Sequence, residues 1–210
     1  MLRVDLGEWQ ERLRASSWVE QASLRRVLPG RISVTVVERE PLGVARLGQE
    51  LYLIDRGGVV IDAYGPNYAE LDLPIISGLA PAGTTGGARV GEARARLVTR
   101  VLDTLGARRG LASRISELDV SNLQDAVVTL KDDPVVLHLG DEDFDERLQS
   151  YVELSATLRE RVPAIEYVDM RFDERVFVGP RAARPGRADA RPATDVDDGR
   201  GERSDDPVGR

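Results

Sequence analysis

An α+β fold is predicted, in two units of unequal size followed by a polar tail. Three observations carry this. Ile32, Val34 and Val36 alternate with Ser33 and Thr35, the period-two pattern of a strand with one buried and one wet face. Apolar residues recur at helical spacing over Glu92–Leu105 and Asp141–Val162, among short β-branched runs, so two main helices pack on a sheet of short strands. Beyond Gly179 the chain is Pro, Gly, Ala, Arg and Asp with few large apolar residues, and such a segment cannot bury enough to offset its ordering entropy. The predicted organisation is a small unit over 1–41, a larger β unit over 42–179 and a disordered tail over 180–210.

In the first unit, Asp5 or Gly7 caps a helix over Glu8–Arg14, with Glu8 suited to the helix dipole. Trp9 and Leu13, four apart, share one face and are expected in the core. Ser16 or Ser17 is expected to cap a second short helix holding Trp18 and Val19, with Trp18 also buried. Leu24 and Leu28 lie on one side of a short strand around Arg25-Arg26. Leu28-Pro29-Gly30-Arg31 is expected to form a type II turn, because proline presets φ at its second position and glycine accepts positive φ at its third.

After Pro41, the runs Val44–Leu47, Leu51–Ile54 and Val59–Ile61 are broken by Gly48-Gln49-Glu50 and Asp55-Arg56-Gly57-Gly58, which are hairpin signals. Asp55 reads as a turn aspartate that caps backbone amides. Ala80–Gly91 is expected to be a flexible loop, and its glycines fit neither phosphate-binding pattern. Gly106 sits where the first main helix should stop. Ile115–Val120, Ala126–Leu130 and Val135–Leu139 are strand candidates, the last two joined by a turn at Asp132-Asp133-Pro134. His138, the only histidine, is expected to be half-buried or solvated, with no partner for metal or base chemistry. The acidic start of the second main helix, Asp141–Glu146, lacks the ligand order of a calcium loop and fits the helix dipole. Ile165–Val178 is the last ordered segment.

Composition excludes several classes. A net charge of −7 argues against a nucleic-acid surface. Cysteine is absent, which removes disulfides and thiol chemistry. No apolar run is long enough to span a bilayer, and the first residues lack signal-peptide character. No nucleophile elbow, His-Glu-x-x-His or nucleotide loop is present. A chain ending in a strand before a tail leaves a sheet edge that must be covered or used, which points to binding by strand addition.

Trp18-Val19, Ala22, Leu24, Arg26, Pro29 and Val37-Glu38-Arg39-Glu40-Pro41 together resemble the FtsQ/DivIB family of bacterial cell-division proteins. So do Leu51–Val60, Leu73-Pro74-Ile75-Ile76-Ser77-Gly78 and Val168-Asp169-Met170-Arg171-Phe172-Asp173. The resemblance covers roughly residues 2–179 and implies a partial POTRA module followed by a curved mixed or antiparallel β domain with two main helices. It further implies that a cytoplasmic tail, one membrane-spanning helix and the first POTRA strand precede this stretch in the full protein. The first unit is then expected to be destabilised by the missing strand.

The implied role is a scaffold at the septum of the inner membrane, with this region extracytoplasmic. It would bind FtsB and FtsL, and through them or beside them FtsK and the septal wall synthases, with no cofactor and no reaction. The implied contact is the terminal strand: Arg171, Phe172, Asp173, Glu174, Arg175 and Val176. Arg171 matches an arginine that pairs with an acidic residue of FtsB, and Phe172 matches the family's aromatic. Glu174 and Arg175 depart from the small pair found in some members. Asn122–Asp125 carries no counterpart of a second basic contact. The competing readings are an outer-membrane assembly or secretion module, which would show repeats or barrel strands, and a wall-active enzyme, which would show clustered carboxylates of perturbed pKa in a concave site.

Overall fold

The computed structural model of the chain describes residues 5–82, 88–107, 110–162, 164–172 and 175–180. It opens with α1 (Leu6–Arg14), whose first turn is closed by Asp5: Oδ1 accepts from the Gly7 amide at 2.8 Å and the Glu8 amide at 3.4 Å. Strands β1 (Val19–Val27) and β2 (Arg31–Glu38) form a separate antiparallel hairpin. There is no second helix at Ser17: Trp18 lies in a turn and Val19 begins β1. The β-branched and apolar residues of 19–27 find cross-strand partners over their whole length, and that tertiary pairing outweighs a short local cap.

The hairpin turn also differs from expectation. The Gly30 amide donates to the Val27 carbonyl at 3.3 Å, the Leu28–Pro29 peptide is cis, and Gly30 does not take positive φ. The turn is therefore centred one residue earlier, on Leu28-Pro29, and Leu28 stands 92% exposed at its tip. Helix α1 packs on β1 and Ala22 is buried, but Ile32, Val34 and Val36 on β2 remain 45%, 52% and 41% exposed. Alternation tells which side chains share a face and not whether anything lies on it. Trp9 is likewise 51% exposed, with the Arg12 guanidinium 5.3 Å from its ring.

The rest of the chain builds a nine-stranded mixed sheet. Its strands are β3 (Gly43–Leu47), β4 (Glu50–Ile54), β5 (Val60–Ala63), β6 (Ile75–Ser77), β9 (Ile115–Asn122), β10 (Asp125–Leu130), β11 (Asp133–His138), β12 (Ile165–Phe172) and β13 (Arg175–Pro180). Between β6 and β9, the two-residue strands β7 (Pro81–Ala82) and β8 (Arg89–Val90) pair with each other, so the ends of the expected loop are ordered while 83–87 lie outside the described residues. The sheet order is β13-β12-β11-β10-β9-β6-β3-β4-β5.

Helices α2 (Glu92–Ala107) and α3 (Phe144–Arg161) bridge the parallel pairs β6/β9 and β11/β12. A parallel pair needs such a crossover, and both helices lie on one face. Under them sits one core that includes Val98, Val101, Leu105, Ile115, Leu118, Val128, Leu137, Leu148, Tyr151 and Val168. Helix α2 runs through Gly106 instead of stopping there; the left-handed residue that follows is Gly110.

On the opposite face a smaller cluster of Val44, Leu53 and Ile61 is covered by Trp18, Leu51, Tyr64, Tyr68 and Leu73. Trp18 thus joins the hairpin to the sheet, its ring 5.8 Å from that of Tyr68. Ser17 Oγ donates to the Ile61 carbonyl at 2.5 Å, and Arg39 Nη1 holds Asp55 Oδ2 at 2.5 Å. Asp55 Oδ1 accepts from the Val59 amide at 2.8 Å, the expected turn cap, so this carboxylate serves the turn and the joint together.

Candidate functional site

The last ordered segment is two strands, not one. Strand β13 runs antiparallel to β12, with Val168 opposite Val178, Asp169 opposite Phe177 and Tyr167 opposite Gly179. Arg171 and Phe172 therefore end β12, while Arg175 and Val176 begin β13; Asp173 and Glu174 lie outside the described residues. Strand β12 departs from simple alternation, its register shifting between Ile165 and Tyr167 and between Asp169 and Phe172, and what the linear reading missed is that the segment divides into two strands.

Strand β13 is the end of the sheet, and among the described residues its outer side pairs with nothing. An unpaired edge offers a row of free amides and carbonyls. The other end is treated differently. Beside β5, Val59 bridges to Arg89, and the Val60 amide donates to the Ala88 carbonyl at 2.8 Å. That edge is partly occupied by the chain itself.

Both faces flanking β13 carry apolar groups. Towards α3, Val176 and Val178 pack on the core, and a groove of about 540 Å³ runs between α3 and the hairpin, lined by Leu154, Met170, Phe172 and Val176 with Glu146 and Arg175. On the outer face two rows of side chains cross the sheet. One runs Asp119, Val127, His138, Asp169, Phe177; the other runs Glu117, Thr129, Val136, Tyr167, Gly179. Phe177 and Phe172 are about half exposed and meet edge to face at 5.1 Å. The Tyr167 ring lies across Gly179, where an added Cβ would sit 2.0 Å from its Cε1. Only a residue without a side chain leaves room for that ring, which presents an aromatic surface beside the edge.

At the turn end of this face sits a polar cluster absent from the sequence reading. Arg171 grips Asp169 with Nε on Oδ1 at 2.9 Å and Nη2 on Oδ2 at 2.6 Å, and its own amide donates to Oδ1 at 3.1 Å. Arg171 Nη1 is 3.3 Å from Asp125 Oδ2. Asp125 is in turn held by His138 Nδ1 at 2.8 Å and by the Gly140 amide at 3.1 Å. His138 is half-buried as expected, but it has a partner. Asp125 and Asp169 are both buried. The hydrogen bonds from Arg171 hold the Asp169 carboxyl below its ordinary range, against the opposing effect of burial. No single stretch of sequence announces the cluster, because it joins β10, β11 and β12; the signal that finds it is strand register.

Behind the groove a second network fixes α3. Tyr151 Oη donates to Asp133 Oδ2 at 2.5 Å, Arg159 Nη2 donates to the same oxygen at 2.6 Å, and the Val135 amide reaches Oδ1 at 3.3 Å. Burial first, and the bond to Asp133 second, push the Tyr151 hydroxyl well above the usual phenol range. Asp133, expected in a surface turn, is a buried strand residue that anchors the helix.

No group of three or more potential metal ligands occurs among the described residues, and none of the helices there is long and apolar enough to cross a membrane.

Two family profiles match the chain. "Cell division protein FtsQ/DivIB, C-terminal" covers residues 43–171, and "POTRA domain, FtsQ-type" covers residues 1–39. Similar curated proteins carry one name, cell division protein FtsQ. That of Koribacter versatilis is 32% identical over 202 residues, 91% of this chain and 56% of the relative. That of Geobacter sp. is 28% identical over 180 residues, 85% and 65% respectively. That of Anaeromyxobacter sp. is 33% identical over 152 residues, 70% and 50%. The chain thus spans between half and two-thirds of the length of these relatives.

Proposed function

Because the chain belongs to the FtsQ/DivIB family of cell-division proteins, we propose that it is the extracytoplasmic part of a non-enzymatic septal scaffold. In this reading a helix ahead of residue 1 anchors the full protein in the inner membrane. Residues 1–41 form its POTRA unit, 42–179 form the partner-binding unit and 180–210 are a tail. The partner is an FtsB/FtsL-type pair whose extended segment adds to β13 as the next strand, which links early proteins such as FtsK to the septal wall synthases.

The observation that carries the reading is the open edge of β13, with a groove of mixed polar and apolar lining on one face and half-exposed aromatic rings on the other. Strand addition draws affinity from backbone bonds and specificity from side chains on alternate faces. The edge supplies the bonds, the Leu154–Val176 groove receives side chains on one face, and Phe177 with Tyr167 receives them on the other. Phe172 and Val176 border the groove, Arg175 opens the edge strand, and Asp173 and Glu174, outside the described residues, belong to the proposed contact by sequence. Among the described residues, the carboxyls of Asp62 and Asp169 are held below their ordinary range, Asp62 chiefly by the Tyr68 hydroxyl and Asp169 chiefly by Arg171.

The test uses the whole chain and the extracytoplasmic segment of the FtsB-like protein from the same genome. Binding is followed by calorimetry and by hydrogen exchange. Protection that appears at 175–180 on binding, with affinity weakened about tenfold or more by Phe177→Ala or Phe172→Ala, is the expected result. Binding that protects another element keeps the partner and removes the edge from the proposal. No binding by the wild-type chain removes the partner as well.

A further inference from the structure

We infer that the tip of the β1–β2 hairpin is a membrane-surface contact: Leu28 enters the interface of an anionic lipid leaflet while Arg25 and Arg31 meet its phosphate groups. The inference rests on the proposed reading that a helix ahead of residue 1 holds this region beside the inner membrane.

The tip combines two features that a solvated turn does not need. Leu28 is 92% exposed, and no other large apolar residue among the described residues exceeds 52%. A single exposed leucine is ordinary on a protein surface, but this one has Val27 and Ile32 beside it, 38% and 45% exposed. The second feature is charge. Residues 25–31 hold Arg25, Arg26 and Arg31 and no acid, in a chain of net charge −7. Register sets Arg31 across from Val27 and Arg25 across from Ser33, so Arg25 and Arg31 share one face of the hairpin, and both are exposed. The acids of 19–40, Glu20, Glu38 and Glu40, lie at the other end of the hairpin. An apolar point set among cations suits an anionic bilayer, where the apolar side chain reaches the acyl boundary and the arginines meet phosphates. A stable protein interface asks for about 800 Å² on each side, which a single turn does not offer.

The fold also orients the tip. The chain reverses between Ala15 and Val19, and Gln10 Nε2 donates to the Ala22 carbonyl at 2.8 Å, so α1 runs back along β1. Its first turn therefore points to the tip end of the hairpin, and a segment preceding it enters from that end. Asp5 and Glu8, the acids there, are engaged with helix amides and with Arg12. The other end of the hairpin is joined through Trp18 to Val44, Leu53 and Ile61 of the main sheet, and β13 is the far edge of that sheet. An anchor entering at the tip end sets Leu28 toward the bilayer and leaves the β13 edge away from it.

The experiment uses the absence of cysteine: one introduced thiol carries one environment-sensitive dye. Gly30→Cys places it at the tip and Gly65→Cys on the main-sheet unit, and an added Cβ meets nothing within 4 Å at either position. The full chain is tethered by an amino-terminal histidine tag to vesicles of phosphatidylglycerol and phosphatidylethanolamine that carry a nickel-chelating lipid and a spin-labelled quencher at headgroup depth. Phosphatidylcholine vesicles are the neutral control. The dye on Gly30→Cys should be quenched, most strongly on the anionic vesicles, and the dye on Gly65→Cys should not. Leu28→Ser should cut that quenching to about half or less, and so should Arg25→Gln combined with Arg31→Gln. Without the tether, the two arginine changes together should lower affinity for the anionic vesicles about 25-fold, about fivefold for each charge.

No quenching at the tip, equal quenching at the two positions, or quenching that survives both sets of changes overturns the inference. Quenching as strong on phosphatidylcholine removes the phosphate contact and overturns it too. The anchor is tested apart, by alkaline extraction of membranes that hold the full-length protein: extraction removes the anchor, while the tethered result still decides whether the tip takes lipid. Leu28→Ser should bind the FtsB-like segment as wild type does, because the hairpin joins the sheet far from β13. Failure of wild type to bind that segment, with the tip quenched as expected, overturns strand addition and leaves the lipid contact standing.

Discussion

Replacing Asp133 by alanine should destabilise the protein more than any single change to the groups it binds. Its carboxylate takes bonds from the buried Tyr151 hydroxyl, from Arg159 and from the Val135 amide. Arg159 is 51% exposed at its side chain and can turn to water, so its share is small. The Tyr151 hydroxyl cannot, because that residue is 2% exposed. Losing the acceptor leaves a buried donor unsatisfied, about 1–3 kcal/mol, and the charge-assisted bond itself adds about 1–2 kcal/mol. The expected loss is therefore about 3 kcal/mol, a fall in Tm of roughly 6–12 °C for a chain of this size. Tyr151→Phe removes one donor and leaves Asp133 held by its other two partners, so it should cost only about 1 kcal/mol. Urea titrations of both variants with unchanged m-values test this. If Asp133→Ala costs no more than Tyr151→Phe, the carboxylate is not what pins α3 to β11, and the support for the groove must come from apolar packing alone.

Three further outcomes are expected. Gly78→Ala should cost about 3–6 kcal/mol in denaturant titration or abolish folding, since Gly78 has φ +82° and an added Cβ would fall 2.2 Å from the Ser121 amide nitrogen; a cost below about 1 kcal/mol would contradict the packing of β6 on β9. Trp18→Ala should cost about 2 kcal/mol and speed hydrogen exchange at 44, 53 and 61, where Trp18 covers the smaller cluster; exchange confined to the hairpin would show that Trp18 does not join the two sheets. Asp169 has a folded-state pKa below its ordinary 3.8, so the stability it contributes is whole above about pH 4. That contribution is lost as the pH falls through the lower folded value, and Asp169→Asn should flatten the acid limb of an unfolding profile. An unchanged acid limb would mean that Arg171 does not favour the charged form.

Most strands and both main helices were legible in the sequence because each is specified by its own period. Strands β3, β4, β9, β10 and β11 and helices α2 and α3 fall where alternation and helical spacing put them, within a few residues. The failures share another cause. Whether Ile32, Val34 and Val36 are covered, whether Asp133 is a turn or a core residue, and whether His138 has a partner all depend on which element lies alongside. No local pattern carries that information. The same holds for the site. The terminal segment was recognised as an edge, but its division into β12 and β13 was not, so Arg171–Val176 was read as one strand. The Arg171–Asp169–Asp125–His138 cluster needed the register of three strands before its members met.

The two ends of the sheet differ in how open they are to strand addition. Unpaired edges invite association of like with like, and proteins cover or interrupt those that serve no purpose. The β5 end is short, four residues, and 88–89 lie against it. The β13 end is longer and open, yet it is not a featureless strand. It begins at Arg175, ends at Pro180, and carries Gly179 beneath the Tyr167 ring. A charge at one end and a proline at the other limit how far a second copy of the same strand could extend the ladder, while the middle residues, Val176 to Val178, stay available. In the proposed strand addition, a short usable window bordered by a groove on one face and by aromatic rings on the other would select a partner by its side chains as well as by its backbone.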